Sequence, residues 1–158
     1  MPNVTIEYVI LIPLLFTQVI VFPYVAATMA SSWQNSQRNI ELQDAADHLV
    51  STIQQLYLTI NSENILVGTV THKSPLPITI SSYPYNATGL LSDPADNSAK
   101  VLTVTLTLDE LGNTATASAV LGSNVTWIPS TLRSNSTDAL IIVEKEADVL
   151  NFSFGDVD

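Results

Sequence analysis

The apolar positions divide the chain into an all-apolar segment, an amphipathic segment and a series of short alternating runs. Between Tyr8 and Ala30, Thr17, Gln18 and Thr28 are the only clearly polar side chains. A helix of this length spans roughly 30 Å or slightly more, enough to cross the hydrocarbon core of a bilayer. We therefore predict an apolar helix over residues 4–30 that spans a membrane, or that passes through a membrane before it is buried elsewhere.

Two prolines, Pro13 and Pro23, lie inside this predicted helix. Proline removes an amide donor and clashes with the preceding turn, which costs about 3 kcal/mol in the interior of a water-exposed helix. Membrane helices tolerate proline better, because neighbouring groups can satisfy the freed carbonyls. We expect a bend or a local irregularity near either proline rather than a break.

The helix is predicted to continue beyond Ser31 with one packed face and one wet face. Apolar residues recur there at steps of three and four, and no Gly or Pro interrupts residues 24–62. We predict a single helix from near Val4 to near Ile60, whose amphipathic part, residues 31–60, covers part of a sheet. The apolar face consists of Leu42, Ala45, Ala46, Leu49, Ile53, Leu56, Tyr57 and Ile60.

After residue 62 the pattern changes to short runs with period two, separated by turn-forming residues. The clearest run is KVLTVTLTL, which alternates β-branched or threonine positions with leucine and valine. Short strands with frequent turns predict an antiparallel, sandwich-like sheet domain, so the chain is α+β, with a helical domain over 1–62 and a β-rich domain over 63–158. The predicted strands are Ile65–His72, Leu76–Ser81, Val101–Leu108, Thr114–Leu121, Leu140–Glu146 and Val149–Phe154.

The charge of the chain excludes one class of partner. The net charge is -10 with five Lys and Arg residues, whereas nucleic-acid binding requires clustered cations. The chain has no cysteine, which excludes disulfides and thiolate metal sites. The hydrophobic content of 46% is high for a soluble domain, and the apolar segment accounts for much of the excess.

No catalytic constellation is recognisable, and we expect neither enzymatic activity nor a cofactor or metal. His48 and His72 lack metal-ligand spacing and are interpreted as surface or boundary histidines. A set of acids in predicted loops and at the tail is open to a calcium interpretation, but it has no EF-hand spacing, and solvated loop carboxylates explain it more simply. These acids are Asp93, Asp96, Asp109, Glu110, Asp156 and Asp158.

Four N-glycosylation sequons fall in the predicted β-domain, and they favour an exported surface. Their asparagines are Asn86, Asn124, Asn135 and Asn151, all predicted to lie in turns or at strand ends. A fifth sequon, at Asn3, adjoins the apolar helix and is expected to be unused. The alternative is that all of them are unmodified polar loops.

Glu7 is the only formally charged residue before Arg38. In one interpretation it is favoured by the dipole at the helix N-terminus, in the headgroup region. In the other, helices leave the bilayer and bundle, and Glu7 enters an apolar core where it must be paired. An α-amine at the N-terminus of another subunit is the nearest available cation. Because residues 1–37 contain no Lys or Arg, we interpret Met1 as following a removed basic leader; weak topology information is the alternative.

The layout of an acid, an apolar helix, an amphipathic helix and a β-rich domain resembles that of a type IV pilin. The string Glu7-Tyr8 followed by ILIPLL is similar to the tight-adherence branch of pilins and pseudopilins. The absence of cysteine and the Thr-rich domain with sequons look more like archaeal pilins than bacterial ones. Glu7 matches the family's acid by type, and cleavage before Asn3 would place it at the usual fifth position.

The resemblance implies a secreted, self-assembling filament at the cell surface, reached through the cytoplasmic membrane. A prepilin peptidase and a pilus assembly platform are the implied partners, and adhesion or surface attachment is the implied role. A minor pseudopilin, or a single-pass anchored surface β-domain outside the filament body, is the alternative. The segment implied to form the filament core or membrane helix includes Tyr8, Ile10, Leu11, Pro13, Leu14, Leu15, Phe16, Val19, Phe22 and Pro23.

Overall fold

The computed structural model describes residues 3–62, 65, 67–92, 99–136 and 139–156, and for residues 3–8 and 156 it describes the backbone alone. The chain divides into two compact units, Met1–Gln37 and Arg38–Asp158. A long N-terminal helix is followed by a globular β-domain, which confirms the predicted α+β class.

Helix α1 spans Asn3–Ile60, as the apolar pattern predicts. Both prolines lie inside it, and the helix is interrupted at neither. The last turn closes where the Asn61 N–H donates to the Tyr57 carbonyl oxygen at 2.8 Å. The helix therefore ends where the three- and four-residue apolar period ends in the sequence.

The β-domain consists of β1 (Gly68–Lys73), β2 (Tyr85–Leu91), β3 (Lys100–Leu108), β4 (Thr114–Leu121), β5 (Val125–Trp127), β6 (Thr131–Arg133), β7 (Ala139–Glu146) and β8 (Val149–Asp156). These strands form two four-stranded sheets, in the orders β1-β7-β8-β5 and β4-β3-β2-β6. Strand β5 pairs with β8 in parallel, and the other pairings are antiparallel. The predicted antiparallel two-sheet architecture is confirmed apart from that one parallel pair.

The predicted strand over Leu76–Ser81 is wrong. Only Ile80 makes a β-bridge there, and its partner Tyr83 lies three residues later in the chain. The two residues between them, Ser81 and Ser82, have positive φ angles of 49° and 73°. This is the backbone of a tight two-residue turn. Pro75 and Pro77, which have no N–H, explain why no longer ladder forms before it.

No predicted strand covers β2, because Pro84, Asn86 and Gly89 are turn-forming residues and favour a turn over this range. It is instead an interior strand, paired with β3 on one side and β6 on the other. Gly89 is required by close packing, since a Cβ atom at this position would lie 2.2 Å from Cζ2 of Trp127. The sequence prediction also missed the short strands β5 and β6.

The second half of α1 packs into the core of the β-domain, as predicted. Leu42, Leu49 and Ile53 are fully buried in one cluster with side chains of both sheets, and Leu56 packs partly against it. On β3, every second residue from Leu102 to Leu108 is fully buried, which confirms the predicted alternation.

The other face of β3 is mainly threonine rather than charged. Thr105 lies between Thr88 of β2 and Thr116 of β4, and Thr107 lies opposite Thr114. The hydroxyls of Thr103 and Ser118 are hydrogen-bonded across the strands at 3.1 Å. Such cross-strand pairs of β-branched residues contribute about 0.2–1 kcal/mol each.

Polar contacts attach the end of α1 to the domain. Lys145 is nearly buried, and its Nζ donates to the carbonyl oxygens of Ile60 at 2.9 Å and Ser62 at 3.1 Å. A cation at the C-terminus of a helix satisfies its last carbonyls and interacts favourably with its dipole. Asn124 Nδ2 donates to Asn61 Oδ1 at 2.9 Å, which adds a second contact at the same end.

Candidate functional site

The apolar N-terminal segment is the strongest candidate for a functional surface. The large apolar side chains from Val9 to Met29 are between 45% and 76% exposed. Successive residues of a helix are rotated by about 100°, so these side chains surround the helix on every side. An apolar surface of this extent indicates that the segment is covered by another molecule or by lipid.

This segment has the length and composition of a membrane span. An 18-residue window of α1 has a mean hydropathy of 2.2, and 0% of that window is buried within the chain. The absence of burial separates it from the core helix of a soluble protein. A membrane anchor and a signal sequence both have these properties, and the segment is compatible with either.

The residues predicted for a filament core or membrane helix lie along this exposed helix. Phe16, Val19 and Phe22 are 65%, 70% and 76% exposed. Ile10, Leu11, Pro13, Leu14, Leu15 and Pro23 are exposed as well. The side chains of Glu7 and Tyr8 lie outside the described residues.

The backbone position of Glu7 bears on the two interpretations of its charge. Helix α1 is described from Asn3 onward and has no acidic residue in its first turn, so Glu7 lies in the second. The effect of the helix dipole falls off within the first turn. Both the dipole interpretation and pairing with a cation of another chain stay predictions.

Two threonine hydroxyls inside the apolar segment are satisfied by the helix itself. Thr17 Oγ1 donates to the Pro13 carbonyl oxygen and Thr28 Oγ1 to that of Val25, both at 2.8 Å. A hydroxyl bonded to its own helix can enter an apolar environment without a second partner. The Gln18 amide, in contrast, has no hydrogen-bond partner within the described part of the chain.

The structure places the four β-domain sequons in different environments. Asn135 lies exposed in a turn. Asn86 is in β2, where its side chain donates to Asp109 Oδ1. Asn124 Nδ2 donates both to Asn61 Oδ1 and to the Asp148 carbonyl oxygen.

The fourth sequon asparagine, Asn151, lies inside β8 rather than at its end, between Glu144 of β7 and Thr126 of β5. Its Oδ1 also accepts a hydrogen bond from the Thr126 hydroxyl. The asparagine at position 135 is therefore the one of the four with the most open side chain.

The titratable residues do not form a reactive group in the described part of the chain. His48 and His72 are exposed. No group of three His, Asp or Glu residues that could hold a metal occurs among the described residues; Asp93, Asp96 and Asp158 lie outside them. Burial raises the pKa of Tyr85 to about 12, and its hydroxyl donates to the Pro77 carbonyl oxygen at 2.7 Å, which is a structural contact.

Comparisons of the chain with models of protein families, with curated protein sequences and with solved structures found no match. The exposed apolar helix and the domain that follows it are therefore the features that bear on function. No group of His, Asp or Glu residues among the described residues offers a metal site beside them. The surface that requires a partner is the helix from Val9 to Met29.

Proposed function

We propose that this chain is the structural subunit of an extracellular type IV pilus-like filament. In this proposal the apolar helices bundle in the filament core and the β-domains face outward. The observation that carries the proposal is the exposure of apolar side chains on all sides of the helix between Val9 and Met29. A helix that is apolar all round is stable in water only when it is surrounded.

A filament core satisfies this requirement better than a dimer does. Two helices that pack together cover one stripe of each other, and the remaining faces stay exposed. A helix inside a bundle of many copies has neighbours in every direction. Before assembly, lipid performs the same task, because the segment is long enough to cross a bilayer.

The β-domain is suited to a wet environment outside the membrane. Its strands present alternating buried and exposed positions, as in β4, where exposed and buried residues alternate from Thr114 to Leu121. The net charge of -10 keeps such domains soluble when many copies are concentrated on one surface. This function requires two partners, a prepilin peptidase that removes a leader and a pilus assembly platform.

Filament assembly by Glu7→Ala cells tests the proposal. Filaments are sheared from cells that produce the wild-type chain or the variant, counted by electron microscopy and quantified with an antibody against the β-domain. We expect fewer filaments from Glu7→Ala, because the charged contact that sets the register between subunits is lost. The fold of the β-domain should be unchanged in this variant. The matched control is Glu110→Ala, which removes an exposed carboxylate from a turn of the β-domain.

Two results would contradict parts of the proposal. Normal filament numbers from the Glu7→Ala cells would refute the register role of that carboxylate. Sheared filaments that lack the chain, with all of it remaining in the membrane fraction, would instead identify an anchored surface β-domain or a minor pseudopilin.

A further inference from the structure

Gln18 is a polar side chain in the middle of the apolar segment between Tyr8 and Ala30. Its amide carries two N–H donors and a carbonyl acceptor. It is exposed, and it has no hydrogen-bond partner in the described part of the chain. Its neighbour Thr17 differs, because the threonine hydroxyl already donates to the Pro13 carbonyl oxygen.

The depth of Gln18 prevents its amide from reaching water. It lies ten residues after Tyr8 and twelve before Ala30. At 1.5 Å per residue, these separations are about 15 Å and 18 Å, so a bilayer that covers the segment places Gln18 near its midplane. A glutamine side chain is too short to extend to either interface from there. Since the described part of its own chain gives it no partner, we look for that partner on another chain in the membrane.

We propose that the Gln18 amide hydrogen-bonds to the Gln18 amide of a second copy of this chain within the membrane. A primary amide is self-complementary, since it both donates and accepts. Copies inserted with the same orientation carry Gln18 at the same depth, so that no axial shift is needed for the pair to form. Interhelical contacts of this kind promote association of membrane helices.

The residues around Gln18 provide a packing seam for such a pair. Leu11, Leu15, Gln18, Phe22 and Val25 follow one another at steps of four, three, four and three. This is the spacing of a heptad seam, in which a single polar residue fixes the register of neighbouring helices. Leu15, Gln18, Val19 and Phe22 also line one shallow hollow on the helix surface, into which a neighbouring side chain can pack.

This pairing depends on the membrane-spanning part of the proposed function and not on the filament. It describes the subunit held in the bilayer before assembly. Within a helical filament the copies are displaced along the axis, and the partners of Gln18 there are free to differ. The experiment is therefore done on membrane-embedded chain without the assembly machinery.

The test measures association of the full chain in phosphatidylcholine vesicles. Because the chain contains no cysteine, a single Ser32→Cys substitution at an exposed helix position provides one labelling site. Energy transfer between donor- and acceptor-labelled copies is followed as the protein-to-lipid ratio is lowered. Gln18→Leu, Gln18→Asn and the matched control Thr17→Val are each made in the Ser32→Cys chain, which is the parent. Circular dichroism compares the β-domains of the parent and the three variants.

We expect Gln18→Leu to weaken association by about 3- to 30-fold, the range measured for polar contacts between membrane helices. Gln18→Asn should retain most of the association, because it keeps a primary amide. Thr17→Val should associate like the parent, since the threonine hydroxyl is already bonded within its own helix.

Association of Gln18→Leu equal to that of the parent overturns the pairing, as does an equal loss in Thr17→Val. A parent chain that stays monomeric at every protein-to-lipid ratio overturns it as well. Failure of the chain to float with the vesicles would overturn the membrane span and the pairing together. Insertion without Gln18-dependent association would refute the pairing and leave the filament proposal standing.

Discussion

The packing of the second half of α1 leads to a quantitative prediction about Leu49. This side chain is fully buried in the core cluster, and Leu58 of the same helix is 66% exposed. Substitution of both residues by alanine, in separate variants, therefore compares the same chemical change in two environments. The fragment from Arg38 onward contains both residues and forms one compact unit.

The expected cost follows from the buried side chain. Leu→Ala removes three carbons, and at about 0.8 kcal/mol for each buried CH₂ the transfer loss is roughly 2.4 kcal/mol. The cavity left in a well-packed core raises the total to about 3–5 kcal/mol. Leu58→Ala should change the free energy of unfolding by less than about 0.5 kcal/mol, as at most surface positions.

Urea unfolding of the fragment measures the difference. Trp127 is its single tryptophan and contacts the Phe154 ring edge-on, with centroids 5.0 Å apart, so its fluorescence reports on the packed core. Circular dichroism provides a second probe of the same transition. Equal unfolding free energies for the two variants would refute the assignment of Leu49 to the domain core, and with it the packing of the amphipathic half.

Three further predictions address polar groups of the β-domain. Lys145→Met should lower the free energy of unfolding by about 1–3 kcal/mol, because it leaves carbonyls at the end of α1 without their donor. Urea unfolding should show no such loss for the exposed control Lys73→Met. Equal losses in the two variants would argue against the contact between Lys145 and the end of α1. Because burial raises the pKa of Tyr85 to about 12, the native state keeps a phenolic proton that the unfolded state loses from about pH 10. The free energy of unfolding, measured in urea, should thus fall between about pH 10 and 12, and it should fall less in Tyr85→Phe. An equal fall with pH in the parent and in Tyr85→Phe would show that Tyr85 is not its cause. Where the native host attaches N-glycans, mass spectrometry of sequon peptides should find higher occupancy at Asn135 than at Asn124; the reverse order would show that the contacts of the asparagine at position 124 do not restrict modification.

Sequence alone was sufficient for the elements whose periodicity is long and unbroken. The helix pattern continued past both prolines, and α1 follows it from Asn3 to Ile60. Strand β4 has the predicted bounds, because its small and threonine residues alternate without a turn-forming residue. In β4 and in the second half of α1, one face is buried over several periods, so that a shift of register would expose apolar side chains.

Local signals failed where tertiary packing decided the structure. Pro84, Asn86 and Gly89 predicted a turn, but the ring of Trp127 occupies the space that a Cβ atom at position 89 would need. That contact joins residues far apart in sequence, and no local pattern contains it. The run over Leu76–Ser81 was sufficiently apolar for a strand, yet its prolines and the turn at Ser81 and Ser82 limit pairing to one bridge.

The candidate surface was predicted from the same apolar segment that the structure leaves uncovered. Its polar residues could be distinguished only with coordinates, because the sequence does not reveal that the Thr17 hydroxyl bonds to its own helix and the Gln18 amide does not. The same holds for Lys145, whose contacts at the end of α1 join residues 83 and 85 positions apart.

Cryo-electron microscopy of appendages sheared from the native cells tests the central claim most directly. The reconstruction, with mass spectrometry of the dominant subunit, should identify this chain as the main component. We expect the helix from Val9 to Met29 in the filament core and the β-domain outside, with the observed N-terminus fixing the position of Glu7. Filaments built from another protein, with this chain retained in the membrane, would contradict the claim.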